Sequence, residues 1–179
     1  VFAYLPTDQE TFLPCHINGD FFPEPNRRQI ILKGEDFQRK WNEAILHAGA
    51  KAIFQNIESL KELFEAKELW NLISAAYRSR IGPHFKIFWH TFIAIAQDVA
   101  LVWTTDEKWV LAPDSRIPIL SPSPTEIGAL SEIGINIVHS DLMRYHNSLL
   151  QIGARQMVLE DVVAGLEDWN ENPNPDLNE

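Results

Sequence analysis

Leu-Pro-Cys-His-Ile-Asn-Gly-Asp-Phe-Phe-Pro-Glu-Pro-Asn-Arg-Arg-Gln-Ile-Ile, residues 13–31, is the stretch on which the reading of the fold turns. It begins as a strand, with Cys15, Ile17 and residues 20–22 extended. Asn18-Gly19 offers a bend or bulge, because glycine tolerates positive φ without steric cost. Pro23 and Pro25 cannot donate to a ladder, so the strand ends there. Asn26, Arg27 and Arg28 follow on a proline-stiffened loop, ahead of the apolar run Ile30-Ile31-Leu32. Two guanidiniums at the lip of a sheet form an anion clamp, since a planar fork on a braced support loses little entropy when it meets phosphate. The same spacing also suits arginines that sit in water and pair loosely with surface carboxylates, each pair worth about 0–1 kcal/mol.

Outward from that stretch, residues 1–5 and 14–22 read as two strands joined by the polar turn Thr7-Asp8-Gln9-Glu10, an antiparallel pair. With no initiator Met, the opening Val1-Phe2-Ala3-Tyr4-Leu5 reads as a strand already under way, which gives the expectation of a piece of a longer protein. After Gly34, Asp36 caps a helix on which Phe37, Trp41, Ile45, Ala48 and Ala52 share one face, a stripe expected in the core. Ser59-Leu-Lys-Glu62 has capping-box spacing and opens a helix through Leu63, Phe64, Leu69, Trp70 and Ile73, with a break near Ala66. Gly82-Pro83 ends that unit, and the next helix, carrying Phe85, Phe88, Trp89, Phe92, Ile93 and Ile95, is apolar nearly all round and so expected to be buried.

Residues 99–104 and 108–112 read as a hairpin carrying Trp103 and Trp109. Residues 113–124 read as a Pro- and Ser-rich connection, and Ser123-Pro-Thr-Glu126 as a second capping box. A short strand at 135–138, a helix capped by Ser140 and a last helix over 158–168 complete the pattern. The predicted fold class is α/β (α+β): a small N-terminal antiparallel or mixed sheet packed by helices, then a mainly helical half with a hairpin. The predicted organisation is a strand–strand–helix unit over 1–57 that holds the Arg-Arg loop, a helical and hairpin unit over 58–168 continuous with it, and an acidic disordered tail or linker over 169–179.

Composition bounds the function. With 179 residues and 45% hydrophobic content the chain can bury a real core, and its net charge of −10 argues against a general binder of nucleic acid or anionic membrane. A single cysteine excludes an internal disulfide framework and fits a reducing, intracellular compartment such as the cytoplasm. The longest apolar run, residues 87–102, is interrupted by His90, Gln97 and Asp98, and so does not read as a membrane span. There is no Gly-rich phosphate loop, so ATP has no complete site here. His16, His47, His84, His90, His139 and His146 include no i, i+4 pair and, with one Cys, give no zinc set, so no metal site is expected. Cys15 and His16 point to opposite faces of a strand and cannot pair as nucleophile and base, which leaves Cys15 as a small buried hydrophobe. No catalytic constellation emerges, and the chain is not expected to be an enzyme on its own.

The segments Val1-Phe-Ala-Tyr-Leu-Pro, Leu13-Pro-Cys-His-Ile-Asn-Gly-Asp-Phe, Asn26-Arg27-Arg28 and Trp41-Asn42 together resemble the sacsin-type repeat region. That region follows a GHKL-type nucleotide-binding domain similar to the one in ninety-kilodalton heat-shock chaperones. Trp103, Trp109-Val110-Leu-Ala-Pro113 and Leu130-Ser-Glu-Ile-Gly134-Ile-Asn-Ile-Val138 resemble it more loosely, so the likeness runs over most of residues 1–165. It implies a chaperone-like middle domain that couples a neighbouring ATPase domain, holding ATP and Mg, to a client or partner protein. In the chaperone family a loop arginine after such a strand reaches the γ-phosphate bound by the preceding domain. Arg27 is the best match by order along the chain and Arg28 the second, with binding positions at Asn18 and Asn26. The local Pro25-Asn26-Arg27-Arg28-Gln29 departs from the chaperone pattern, lacking its leucine-rich lead-in and following glutamate. The opposing reading is a protein–protein interaction module whose arginines only hold its own fold together.

Overall fold

Asp36 sets the start of the first helix, its carboxylate accepting from the Arg39 N–H at 3.0 Å. The computed structural model describes residue 8, residues 13–79 and residues 86–171, and the chain divides into two compact units between Ile95 and Ala96. It is a mixed α/β fold of several helices with, among the described residues, two small sheets.

Among the described residues, the first unit is built on four helices: α1 (Phe37–Gln55), α2 (Ile57–Leu63), α3 (Ala66–Ser79) and α4 (Lys86–Ala96). The break near Ala66 falls at Phe64-Glu65, as the sequence indicates. Its core gathers Leu46, Ala50 and Phe54 of α1, Leu69, Trp70 and Ile73 of α3, and Phe88, Trp89 and Phe92 of α4. Phe92 is the hub, with ring centroids 4.6 Å from Phe54 and 5.6 Å from Trp89.

Several expectations for this unit are corrected. The buried line of α1 is Asn42, Leu46, Ala50 and Phe54, one or two residues on from the predicted stripe, and Phe37 and Trp41 are exposed. Ser59 lies inside α2 and caps nothing, the cap position being Asn56. α4 is buried along one face only, with His90 and Ala94 exposed. Cys15 is exposed rather than buried. Residues 14–22 form no ladder, and sheet-like pairing in this unit, among the described residues, is the isolated antiparallel bridge Pro23–Ile30. The strand expected at 1–5 and the Gly82-Pro83 start of α4 lie outside the described residues.

The second unit begins with the predicted hairpin. β1 (Ala100–Trp103) pairs antiparallel with β2 (Trp109–Leu111), and Trp103 faces Trp109 at 5.1 Å between centroids. Residues 113–124 are not a bare connection. They contain β3 (Ser115–Ile117), the middle strand of a parallel sheet ordered β4–β3–β5, with β4 (Asn136–Ile137) and β5 (Arg155–Gln156) on its two sides. α5 (Pro124–Glu132) carries the chain from β3 to β4, and a 3-10 turn leading into α6 (His146–Gln151) carries it on to β5. Both limbs of the Ser123–Glu126 capping box are present. His139, not Ser140, caps the 3-10 turn, its ring accepting from the Asp141 N–H. The hairpin is tied to β4 by the Thr104–Val138 bridge and by the His139 N–H donating to the Trp103 carbonyl at 3.0 Å. Leu101, Ile117, Ile137, Leu142, Leu149 and Ile152 fill the core between these pieces. The last helix, α7 (Leu159–Glu171), runs past residue 168.

Candidate functional site: the Asn-Arg-Arg turn

A buried asparagine holds the site in place. Asn42 is fully buried, and its Oδ1 accepts from the Phe22 N–H at 2.8 Å. Its Nδ2 donates to the Phe22 carbonyl at 2.8 Å and to the Ile31 carbonyl at 2.9 Å. One amide thus satisfies both edges of the segment that leaves the body at Phe22 and returns at Ile31. Trp41 adds a second tether, its indole N–H donating to the Asp20 carbonyl at 2.8 Å. Just upstream, a Cβ on Gly19 would stand 2.9 Å from the Ile45 side chain, so the chain needs glycine there for close approach to α1.

Above that base the backbone closes on itself. The Ile31 N–H donates to Phe22 at 3.0 Å, and the Glu24 N–H to Gln29 at 2.8 Å. The Arg27 N–H returns to the Glu24 carbonyl at 2.8 Å, and the Arg28 N–H donates to Asn26 Oδ1 at 2.9 Å. The side chain of Asn26 therefore works as a turn brace, a backbone-mimicking loop of the kind asparagine favours. Asn18 is exposed and makes none of these hydrogen bonds.

Arg27 sits at the apex with φ of 57°, in the left-handed region that favours glycine. Its side chain is exposed and enters no ion pair or hydrogen bond among the described residues. Arg28 is 3.8 Å from Asp8, with both side chains more than three-quarters exposed (76% and 78%), a contact of little energetic weight. Neither guanidinium is buried against Glu24, Glu35 or Asp36. The contrast with other arginines is sharp. Arg39 pairs with Glu43 at 2.5 Å, and Arg116 pairs with Asp161 at 2.7 Å while donating to the Pro113 and Ser115 carbonyls. Beside the turn lies an open aromatic group in which Phe22 meets Phe37 edge-on at 5.7 Å and Phe37 meets Trp41 at 5.8 Å. Phe37 remains 64% exposed and Trp41 42%.

The donor set of the turn suits phosphate oxygens, because guanidiniums are planar donors that carry no acceptor. Among the described residues no group of three His, Cys, Asp or Glu could hold a metal ion. No helix among them is long and apolar enough to cross a membrane. Asn42 is the residue that periodicity misses, since a polar side chain on a core line breaks the apolar pattern instead of extending it. The Trp41-Asn42 pair carries the only signal that could have found it.

No family profile matches the chain, and no solved structure matches it significantly. Over 70 residues, 38% of its length, the chain is 39% identical to sacsin from Homo sapiens. The chain spans about 2% of that much longer protein, and over this stretch it is similar to sacsin.

Proposed function

We propose that residues 22–31 form a phosphate-facing lip in a chaperone-like, ATP-dependent protein, and that the chain itself is a non-catalytic middle domain. In this reading Arg27, with Arg28 beside it, meets the phosphate of a nucleotide held by a neighbouring ATPase domain and passes that contact on to client or partner binding. The nucleotide would supply the reacting phosphoryl group, and its Mg would offset part of the phosphate charge. These residues supply charge and position. Three things support the reading: the similarity to sacsin, the exposed guanidiniums, and above all the left-handed backbone at Arg27. Arginine there accepts strain that glycine would avoid, and strain at an exposed turn points to a role for the side chain.

The test is steady-state ATPase activity of the parent protein carrying Arg27→Ala or Arg28→Ala. An arginine that stabilises transferring phosphoryl charge can be worth ~10³–10⁵ in rate, so loss of at least about tenfold is expected for Arg27→Ala. The exposed Phe37 and Trp41 favour a second reading, a protein-interaction module in which the turn only shapes an apolar surface. Unchanged turnover in both arginine variants, with loss of a partner in Trp41→Ala, would select that second reading.

A further inference from the structure

We infer that the outward face of α7 is a docking surface for a basic amphipathic helix of a partner protein. None of its residues is buried. Among the described residues it is anchored along one side. Asp161 accepts from Arg116 at 2.7 Å, and Gly165 lies so close to Ile133 that a Cβ would come within 2.8 Å of the Ile133 carbonyl oxygen. At about 100° per residue, Leu159, Val163 and Leu166 project about a quarter-turn or more away from that anchored side. They form an i, i+4, i+7 ridge with 75%, 46% and 50% of their surface in solvent, and Trp169 continues it at 40%. Such a ridge on one helix is what another helix packs against.

The charge pattern selects the occupant. Glu160, Glu167 and Glu171 fall at i, i+7 and i+11 beside the ridge, and α7 carries no Lys or Arg to offset them. A partner helix with Lys or Arg flanking its own apolar stripe would neutralise that row while covering Leu159, Val163 and Leu166. A second copy of α7 would bring a second acidic row against the first. An anionic membrane surface would be repelled by the same carboxylates.

Three synthetic helical peptides of about 18 residues, sharing one Leu ridge but flanked by Lys, Gln or Glu, test this against the 179-residue chain by calorimetry at about 0.1 M salt. The Lys-flanked peptide is expected to bind at least about tenfold tighter than the Glu-flanked one. The double variant Val163→Ser with Leu166→Ser, changed at exposed positions so that near-ultraviolet circular dichroism stays unaltered, is expected to lose the Lys-flanked peptide by a similar factor. The triple variant Glu160→Gln, Glu167→Gln and Glu171→Gln is expected to bind all three peptides nearly alike. Equal affinities for the three peptides, or binding of none, would overturn the proposal. So would sedimentation showing a dimer that Leu166→Ser dissociates, since the occupant would then be a second copy.

Discussion

Asn42 carries more of the candidate site than any charged residue does. Its amide meets one N–H and two carbonyls at the base of the turn, the Phe22 carbonyl shared with the Ile31 N–H, in a part-buried environment. Leaving buried polar groups unpaired costs about 1–3 kcal/mol apiece. Water reaching the part-buried backbone recovers some of that, so Asn42→Ala is expected to destabilise the protein by about 2–4 kcal/mol in urea titration. Asn42→Asp should do no better, because a carboxylate can accept from Phe22 but turns an acceptor toward two carbonyls. Arg27 makes the opposite case. A non-glycine residue in the left-handed region gives up about 1–2 kcal/mol, part of which glycine returns as greater freedom when unfolded, so Arg27→Gly is expected to be neutral or to gain up to about 1 kcal/mol. A large loss in that variant would mean that the guanidinium holds the fold together, and the phosphate-facing role would fall. Of these two residues the sequence exposes only Arg27 directly, as one of an adjacent pair after two prolines. Asn42 hides because an isolated buried amide has no periodicity of its own.

At the level of elements, charge at helix starts and joins gives the second unit a pH dependence. Partial burial works against ionisation of Asp161, but the Val158 N–H, the Arg116 hydrogen bond and charge, and the charge of Arg155 outweigh it and hold the carboxyl below its ordinary value. The Ser123 N–H, with the Ser123 hydroxyl, does the same for Glu126 at the start of α5. Both groups give up their proton more readily folded than unfolded. Their contribution is therefore complete above the usual carboxylate range and is lost as pH falls through their lowered folded values. Urea midpoints measured from neutral pH downward should fall in that acid window. Arg116→Ala, costing about 1–3 kcal/mol near neutrality, should differ from the unaltered protein less and less as Asp161 takes up its proton. A gap that stays constant down to the acid limit would show that Arg116 stabilises through its bonds to Pro113 and Ser115 alone. Elements with their own local signal were readable: Asp36 and the Ser123–Glu126 box mark helix starts, and Trp103 and Trp109 mark the hairpin. β3 was not. The three residues of β3, set between Pro113 and Pro118, are too few to show alternation, and their strand character comes from β4 and β5 pairing on either side. The register of α1 was missed for a related reason, since apolar residues lie on two adjacent lines and only packing decides which one turns inward.

For the whole chain, the balance of 15 basic against 25 acidic residues constrains how an anion can use Arg27 and Arg28. A free triphosphate approaching a molecule of net charge −10 meets repulsion over the Debye length, about 30 Å at 0.01 M salt and about 8 Å at 0.15 M. Two exposed guanidiniums on a turn with no enclosing wall among the described residues offer a short-range attraction that the same salt also weakens. Neither regime favours capture of a dissolved nucleotide. A phosphate already fixed by another folded domain does not face the cost of free approach, since its position is set by that domain's own contacts, so the site suits a ligand delivered within a polypeptide. Titration of the chain with inorganic triphosphate, followed by the backbone amides of Arg27 and Arg28, is accordingly expected to give a Kd weaker than about 1 mM at 0.15 M salt. Binding should not strengthen markedly when salt is lowered, because the global repulsion grows as the local attraction does. Submillimolar affinity that tightens steeply at low salt would mean that these residues hold phosphate unaided, and a contact made only when a neighbouring domain presents its nucleotide would no longer be needed to explain the turn.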